Sequence, residues 1–276
     1  MSSRSLQCGD YPDAALHEIK LRDDEGDTLL YFHGGGYRNV LNGEGHVPIV
    51  LDCAAAARVS KVVFLEYTLT PDLKYPGQLA QAARALDFLL NDKQGTRPSQ
   101  LIIGGDSAGG NLVLALLAHL KQPHPATGIP PVAGLKASDQ FKAIFLLSPW
   151  VTIPCTARSF AENASRDYLS AQLAETFLDL WRPREGDVWA DPLRAGADFW
   201  KKNALPASRM FISAGDFEAF RDDVVSMAGV FEAALGERLT FVLAPGEVHV
   251  QAAVDKALGL PPTKSLVALL EWLQAL

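Results

Sequence analysis

One serine stands at the centre of Gly104-Gly105-Asp106-Ser107-Ala108-Gly109-Gly110, directly after the apolar run Leu101-Ile102-Ile103 and directly before an apolar, helix-compatible segment, Asn111 to Leu120. The Gly-x-Ser-x-Gly spacing of Gly105, Ser107 and Gly109 suits a sharp strand-to-helix turn, which strains its central residue and lifts the hydroxyl into the open. Glycine flanks such a turn because a Cβ would meet the neighbouring strand or helix. The chemistry this permits is nucleophilic attack on an acyl carbon. The plain alternative is a βα turn whose serine caps the helix.

A nucleophilic serine needs three further kinds of group. Oxyanion donors come first. The β-like run Thr28 to Phe32 is followed at once by His33-Gly34-Gly35-Gly36-Tyr37, a backbone able to curl its N–H groups into a cavity, and each such donor lowers the barrier by on the order of 3 kcal/mol. The donors expected are the N–H groups of Gly35 and Gly36, with that of Ala108, the residue after the nucleophile. A base comes next. Of six histidines, His249 alone stands on a loop (Ala244 to His249) just past a late strand, Leu239 to Leu243, as a general base for Ser107 requires. His33 is expected to brace the glycine loop, His119 to belong to a core or helix end, and His124 to a proline-rich loop. His17 and His46 have no catalytic context. The third group is a carboxylate to orient the imidazole. Four acids compete after the strand Arg209 to Ala214: Asp216, Glu218, Asp222 and Asp223. Asp216 suits a turn cap, and Asp222 and Asp223 suit the start of the next helix, where the dipole favours negative charge.

Together these segments resemble the hormone-sensitive-lipase-like family of α/β-hydrolases, which includes carboxylesterases and arylacetamide-deacetylase-type enzymes. His33-Gly34-Gly35-Gly36 matches the family's oxyanion motif, Gly105-Asp106-Ser107-Ala108-Gly109-Gly110 its nucleophile motif, and Glu66 to Pro76 its Tyr-Arg-Leu-Ala-Pro-Glu…Pro stretch. The similarity runs from about residue 28 to the C-terminus. It implies an α/β-hydrolase fold, ester hydrolysis without cofactor or metal, and a homodimer as a frequent assembly. The family's acid stands in Asp-Pro-Leu-x-Asp; here Glu218-Ala219-Phe220-Arg221-Asp222 occupies that place, so the resemblance selects Glu218 and departs from the family in using glutamate. Asp216 stays open as the alternative. A second departure is a short N-terminus, where relatives carry helical lid material; this predicts a more open pocket. The same triad could also serve acyl transfer, cyclisation or amide hydrolysis, and the fold could serve as a small-molecule receptor, though His249 argues against that.

The elements that must position these groups alternate. Strands are expected at Ala15–Arg22 (an edge strand), Thr28–Phe32, Lys61–Tyr67 and Ala143–Ser148, besides those before the elbow and the acid and base loops. Helices are expected at Pro48–Ser60, Gly77–Asn91, the elbow helix, Asp222–Leu235 and Thr263–Leu276. Such β–α alternation implies a mostly parallel sheet covered on both faces, with the site beyond the carboxyl ends of its strands. The whole chain, 1–276, reads as one domain. Residues 149–204 lack strand periodicity and hold Trp150, Trp181, Trp189 and Trp200, four of the five tryptophans, with Phe160, Tyr168 and Phe177; this segment is expected as a helical cap, with residues 1–16 contributing. Gln122 to Asp139 reads as an exposed loop. A net charge of −7 disfavours nucleic acid and anionic membrane. No apolar run reaches membrane-spanning length, the N-terminus lacks a signal peptide, and the three scattered cysteines suit reduced thiols, so a cytoplasmic protein acting on a small ester is expected.

Overall fold

The computed structural model describes residues 1–91, 95–126, 128–136, 138–201 and 206–276. Eight strands form one sheet: β1 (Ser2–Cys8), β2 (Tyr11–Lys20), β3 (Thr28–Phe32), β4 (Lys61–Glu66), β5 (Leu101–Asp106), β6 (Ala143–Leu147), β7 (Met210–Gly215) and β8 (Leu239–Ala244), in the order β1-β2-β4-β3-β5-β6-β7-β8. The β1–β2 and β2–β4 pairs are antiparallel; every later pair is parallel. Residues 1–16, expected as cap material, are sheet instead: Ser2 to Leu6 pair with Ala14 to Glu18, because β1 completes an edge hairpin rather than a helix. The strand expected at the edge is β2, one place in, and pairs with β4 from Ala15 opposite Glu66 to Lys20 opposite Lys61.

Period-two burial on both faces builds two cores. Leu30, Phe32, Val63, Leu65, Ile103, Ile144 and Leu146 face one side, under α2 (Gly77–Asn91), α3 (Ser107–Lys121) and α7 (Arg221–Leu235). Leu29, Tyr31, Val62, Phe64, Ile102 and Phe145 face the other, under α1 (His46–Ala56) and α9 (Lys264–Gln274). Parallel strands buried on both faces read as continuous apolar runs, as β4 and β6 do. Between β6 and β7 lie α4 (Arg158–Glu162), α5 (Ala171–Trp181) and α6 (Gly196–Lys201); α8 (Gln251–Ala257) follows β8. Of the segment 149–204, residues 202–204 lie outside the described residues, as do 127 and 137 of the loop 122–139. In that loop His124 is half-buried, its Nε2 3.0 Å from the hydroxyl of Tyr75.

Candidate active site

Asp106 ends β5 in extended backbone (φ −119°, ψ 148°) and Ser107 opens α3 at φ 48°. That left-handed conformation costs a non-glycine residue of order 1 kcal/mol or more. The surroundings enforce it: a Cβ on Gly109 would lie 2.0 Å from the carbonyl oxygen of Phe32, and one on Gly105 would lie 2.6 Å from Gly109. The turn is therefore as tight as the glycine spacing predicts. Trp150 N donates to the Ser107 carbonyl at 3.0 Å, fixing the elbow to the end of β6.

His249 arrives on the loop after β8. Its Nε2 stands 2.9 Å from Ser107 Oγ, and its ring is buried at 3% exposure. Burial pushes the imidazole below its ordinary value, partly opposed by the charges of Asp167 and Asp106. A neutral ring with Nε2 accepting from the serine hydroxyl carries its proton on Nδ1. Phe220 packs edge-on against the ring at 5.0 Å.

Glu218 is completely buried on the turn between β7 and α7. Its Oε2 accepts from Ser148 Oγ at 2.5 Å and from Gly215 N at 3.0 Å. Among the described residues its Oε1 has no hydrogen-bond partner, and neither has Nδ1 of His249. One is an acceptor and the other a donor, and they are not hydrogen-bonded to each other. Two bridges hold their loops together. Ser148 Oγ also accepts from Val250 N at 3.3 Å, and Asp167 accepts from Ala219 N at 2.7 Å and His249 N at 3.3 Å. Asp216 lies elsewhere: its Oδ1 accepts from Gly246 N at 2.5 Å, a turn cap. Asp222 accepts from Ser159 N at 3.0 Å and pairs with Arg221. Burial first, then the charges of Asp222 and Asp191, push Asp223 up to about 7.

The glycine loop is tied to the elbow by Asp106. Its Oδ1 accepts from Tyr31 OH at 2.7 Å and Gly34 N at 2.8 Å, and Oδ2 lies 3.2 Å from His46 Nε2. Burial alone would raise this carboxyl; His46, Tyr31 and Gly34 outweigh it and keep it low. His46, without context in the sequence, is thus part of the support, its Nδ1 accepting from Asn42 N at 3.0 Å. His33 braces the loop through Nδ1 on the Gly34 carbonyl at 2.7 Å and stacks on Tyr67 at 4.3 Å. Gly35 and Gly36 turn with φ of 104° and 62°; their N–H groups make no hydrogen bond among the described residues. Ala108 N belongs to the first turn of α3, where N–H groups lack intrahelical partners.

These groups meet at a cavity of about 730 Å3, within the range that holds a small ligand. Gly35, Gly36, Ser107 and His249 line its floor; Trp150, Leu169, Leu173, Phe177 and Phe220 form one wall, and Val40, Leu41, Ala253 and Val254 another. The aromatics of 149–204 divide. Trp150, Tyr168 and Phe177 face the cavity, whereas Trp181, Trp189 and Trp200 are buried packing. Residues 39–44, part of the wall, carried no signal in the sequence. Neither did Ser148 or Asp167, each far along the chain from the residue it supports.

A family model described as the α/β-hydrolase fold matches residues 29–253. The chain is 30% identical over 234 residues to an acetyl-hydrolase of Streptomyces hygroscopicus, covering 82% of this chain and 68% of that one. An esterase of the bacterial hormone-sensitive lipase family superposes with a TM-score of 0.75 at 26% identity, over 99% of this chain and 84% of the other. The chain belongs to the hormone-sensitive-lipase-like branch of the α/β-hydrolase fold family. The fold of this hydrolase-family chain also matches carboxyl esterase 2 of the fungus Tuber melanosporum, with a TM-score of 0.81 at 23% identity, over 99% and 86% of the two chains. It spans between 44% and 61% of the length of four further bacterial relatives. Among the described residues no helix is long and apolar enough to cross a membrane.

Proposed function

We propose that this chain is a serine carboxylic ester hydrolase that works through an acyl-enzyme. The observation that carries the reading is the 2.9 Å contact between Ser107 Oγ, held at φ 48°, and His249 Nε2 on the floor of the cavity. Ser107 Oγ attacks the ester carbonyl carbon while Nε2 takes its proton. The carbonyl oxygen becomes an oxyanion, and the N–H groups of Gly35, Gly36 and Ala108 are the donors assigned to it. Collapse breaks the C–O bond to the alcohol, which leaves with the proton from Nε2. Water then attacks the acyl carbon, giving its proton to Nε2; the second collapse frees the acid and restores the serine. Glu218 is assigned as the acid that accepts from Nδ1–H and stabilises the imidazolium.

Support for the substrate class comes from the walls. They are largely apolar and, among the described residues, carry no lysine or arginine, so a small neutral ester fits better than an anionic one. We assign the segment between β6 and β7 as a cap, since Tyr168, Leu173 and Phe177 lie over the site. The names of the relatives, acetyl-hydrolase and carboxyl esterase, are in keeping with this.

A fluorophosphonate probe tests the reading directly. Wild-type protein is expected to label and Ser107→Ala to stay unlabelled, losing p-nitrophenyl acetate hydrolysis with unchanged circular dichroism. Turnover in that variant, or no labelling of the wild type, would overturn the assignment.

A further inference from the structure

Glu218 is buried from all sides, yet only Oε2 is held by donors. One donor, Gly215 N, is local, three residues back on the same turn. The other, the Ser148 hydroxyl, comes from the end of β6. Ser148 is buried at 5% exposure, takes φ 44°, and donates its own N–H to the Ser213 carbonyl at 2.8 Å. Its Oγ gives its single proton to Glu218 and accepts from Val250 N, the residue after His249. A hydroxyl engaged on both sides cannot rotate to another partner. One oxygen atom thus touches both the acid's carboxylate and the backbone that carries the base.

We propose that Ser148 is a positioning residue for the reaction: its hydroxyl fixes Glu218 so that Oε1 is presented to His249. The proposal rests on Glu218 being the triad acid. Its surroundings together raise Glu218 to about 8: burial pushes it up most, the bonds from Ser148 and Gly215 pull it down, and Asp167 from the β6–β7 segment and Glu247 from the loop after β8 push it up. Tyr168, its ring 6.0 Å from that of His249, also feels the Glu218 charge. Without the Ser148 donor, Gly215 alone opposes burial and the two acids, and the carboxyl holds its proton to higher pH. A protonated Glu218 cannot serve as the anionic partner of Nδ1–H, and the serine loses its base.

The test is the pH profile of kcat/KM for p-nitrophenyl acetate on the full chain. A bond to a charged group is strong enough that Ser148→Ala should move the rising limb up by about one pH unit. That means roughly tenfold lower kcat/KM near neutrality, carried by kcat, with activity recovered as the pH is raised. Ser148→Cys keeps the shape with a weaker donor, so it should shift the limb less in the same direction; it also stands in if Ser148→Ala fails to fold. In a Glu218→Gln background, Ser148→Ala should slow the enzyme by no more than about twofold, since it acts through Glu218. Superimposable profiles, an equal loss at every pH, or a full further loss in the Glu218→Gln background would each overturn the proposal. Should Glu218→Gln match the wild type, the acid assignment falls and takes this role with it; turnover by Ser107→Ala would instead sink the hydrolase reading as a whole.

Discussion

A carboxylate that orients an imidazole must keep one oxygen clear of other donors. Glu218 does so inside the protein, fully buried with Oε1 unbonded, whereas Asp216 is half-buried and its Oδ1 serves the turn by accepting from Gly246 N. Glu218→Gln would place an amide beside His249. Its N–H would donate to Nδ1 and drive the ring proton to Nε2, where the ring can no longer accept from Ser107. A wrong tautomer of this kind costs on the order of 10³ to 10⁴ in kcat, whereas Asp216→Asn keeps an oxygen for Gly246 and should stay within about threefold of wild type. Steady-state kinetics on the two variants ranks them; the reverse order would move the acid to Asp216. Ser107 and His249 were legible in the sequence because each sits in a local pattern, glycines around one and a strand–loop step before the other. The residues alone could not choose among Asp216, Glu218, Asp222 and Asp223, since nine positions of turn offer several directions and only packing says which side chain points inward. There only the resemblance selects Glu218, which is the fully buried one of the four; its role as the acid is the proposal above.

Among the elements, the β6–β7 segment does more than line the cavity. Ser159 Oγ donates to the Ala219 carbonyl at 2.6 Å, Asn163 Nδ2 to the Glu218 carbonyl at 2.9 Å, and Asp167 accepts from Ala219 N and His249 N. Its helix α5, capped by Ser170 on Leu173 N at 3.1 Å, lays Phe177 where a Cβ on Gly36 would fall 2.4 Å away. The segment therefore clasps the loops that carry Glu218, His249 and Gly36 at once. Asp167→Ala would leave three buried N–H groups, those of Ala219, His249 and Leu169, without acceptors, at about 1–3 kcal/mol each, so Tm should fall by several degrees and kcat with it. An unchanged melting curve together with unchanged kcat would show that the clasp carries no weight. The period of the apolar residues placed α2 at its observed ends, and β3 likewise. No local pattern marks β1, whose exposed residues show no apolar alternation, or α8, only seven residues long. Those elements owe their form to their neighbours rather than to their own pattern, as does the hold of Asp167 across 82 residues on His249.

For the molecule as a whole, the site is a local deficit sustained by a two-faced core. Ser107, Ser148 and Val250 all take φ near 45–50°, and a carboxyl sits in full burial beneath them. Each costs stability in exchange for geometry, a trade common at functional sites. The buried acid makes the trade measurable. Burial raises Glu218 from its ordinary 4.5 to about 8. Because the folded value lies above the unfolded one, the group's contribution is fully present below pH 4.5 and is lost as the pH rises through 8, the folded state holding a proton that the unfolded chain has given up. Glu218→Gln removes this term while keeping an oxygen for Ser148 and Gly215. The variant should therefore gain on the wild type as the pH rises, the gap in unfolding free energy widening from pH 4.5 to 8 by several kcal/mol, on the order of the linkage value. Urea unfolding of both proteins at pH 5, 6.5 and 8 reads that gap. A gap independent of pH would mean that Glu218 is already ionised at pH 5, and a gap that narrows would reverse the sign of the argument. A gap that widens alongside a collapse of kcat would show the same carboxyl destabilising the fold and serving the reaction.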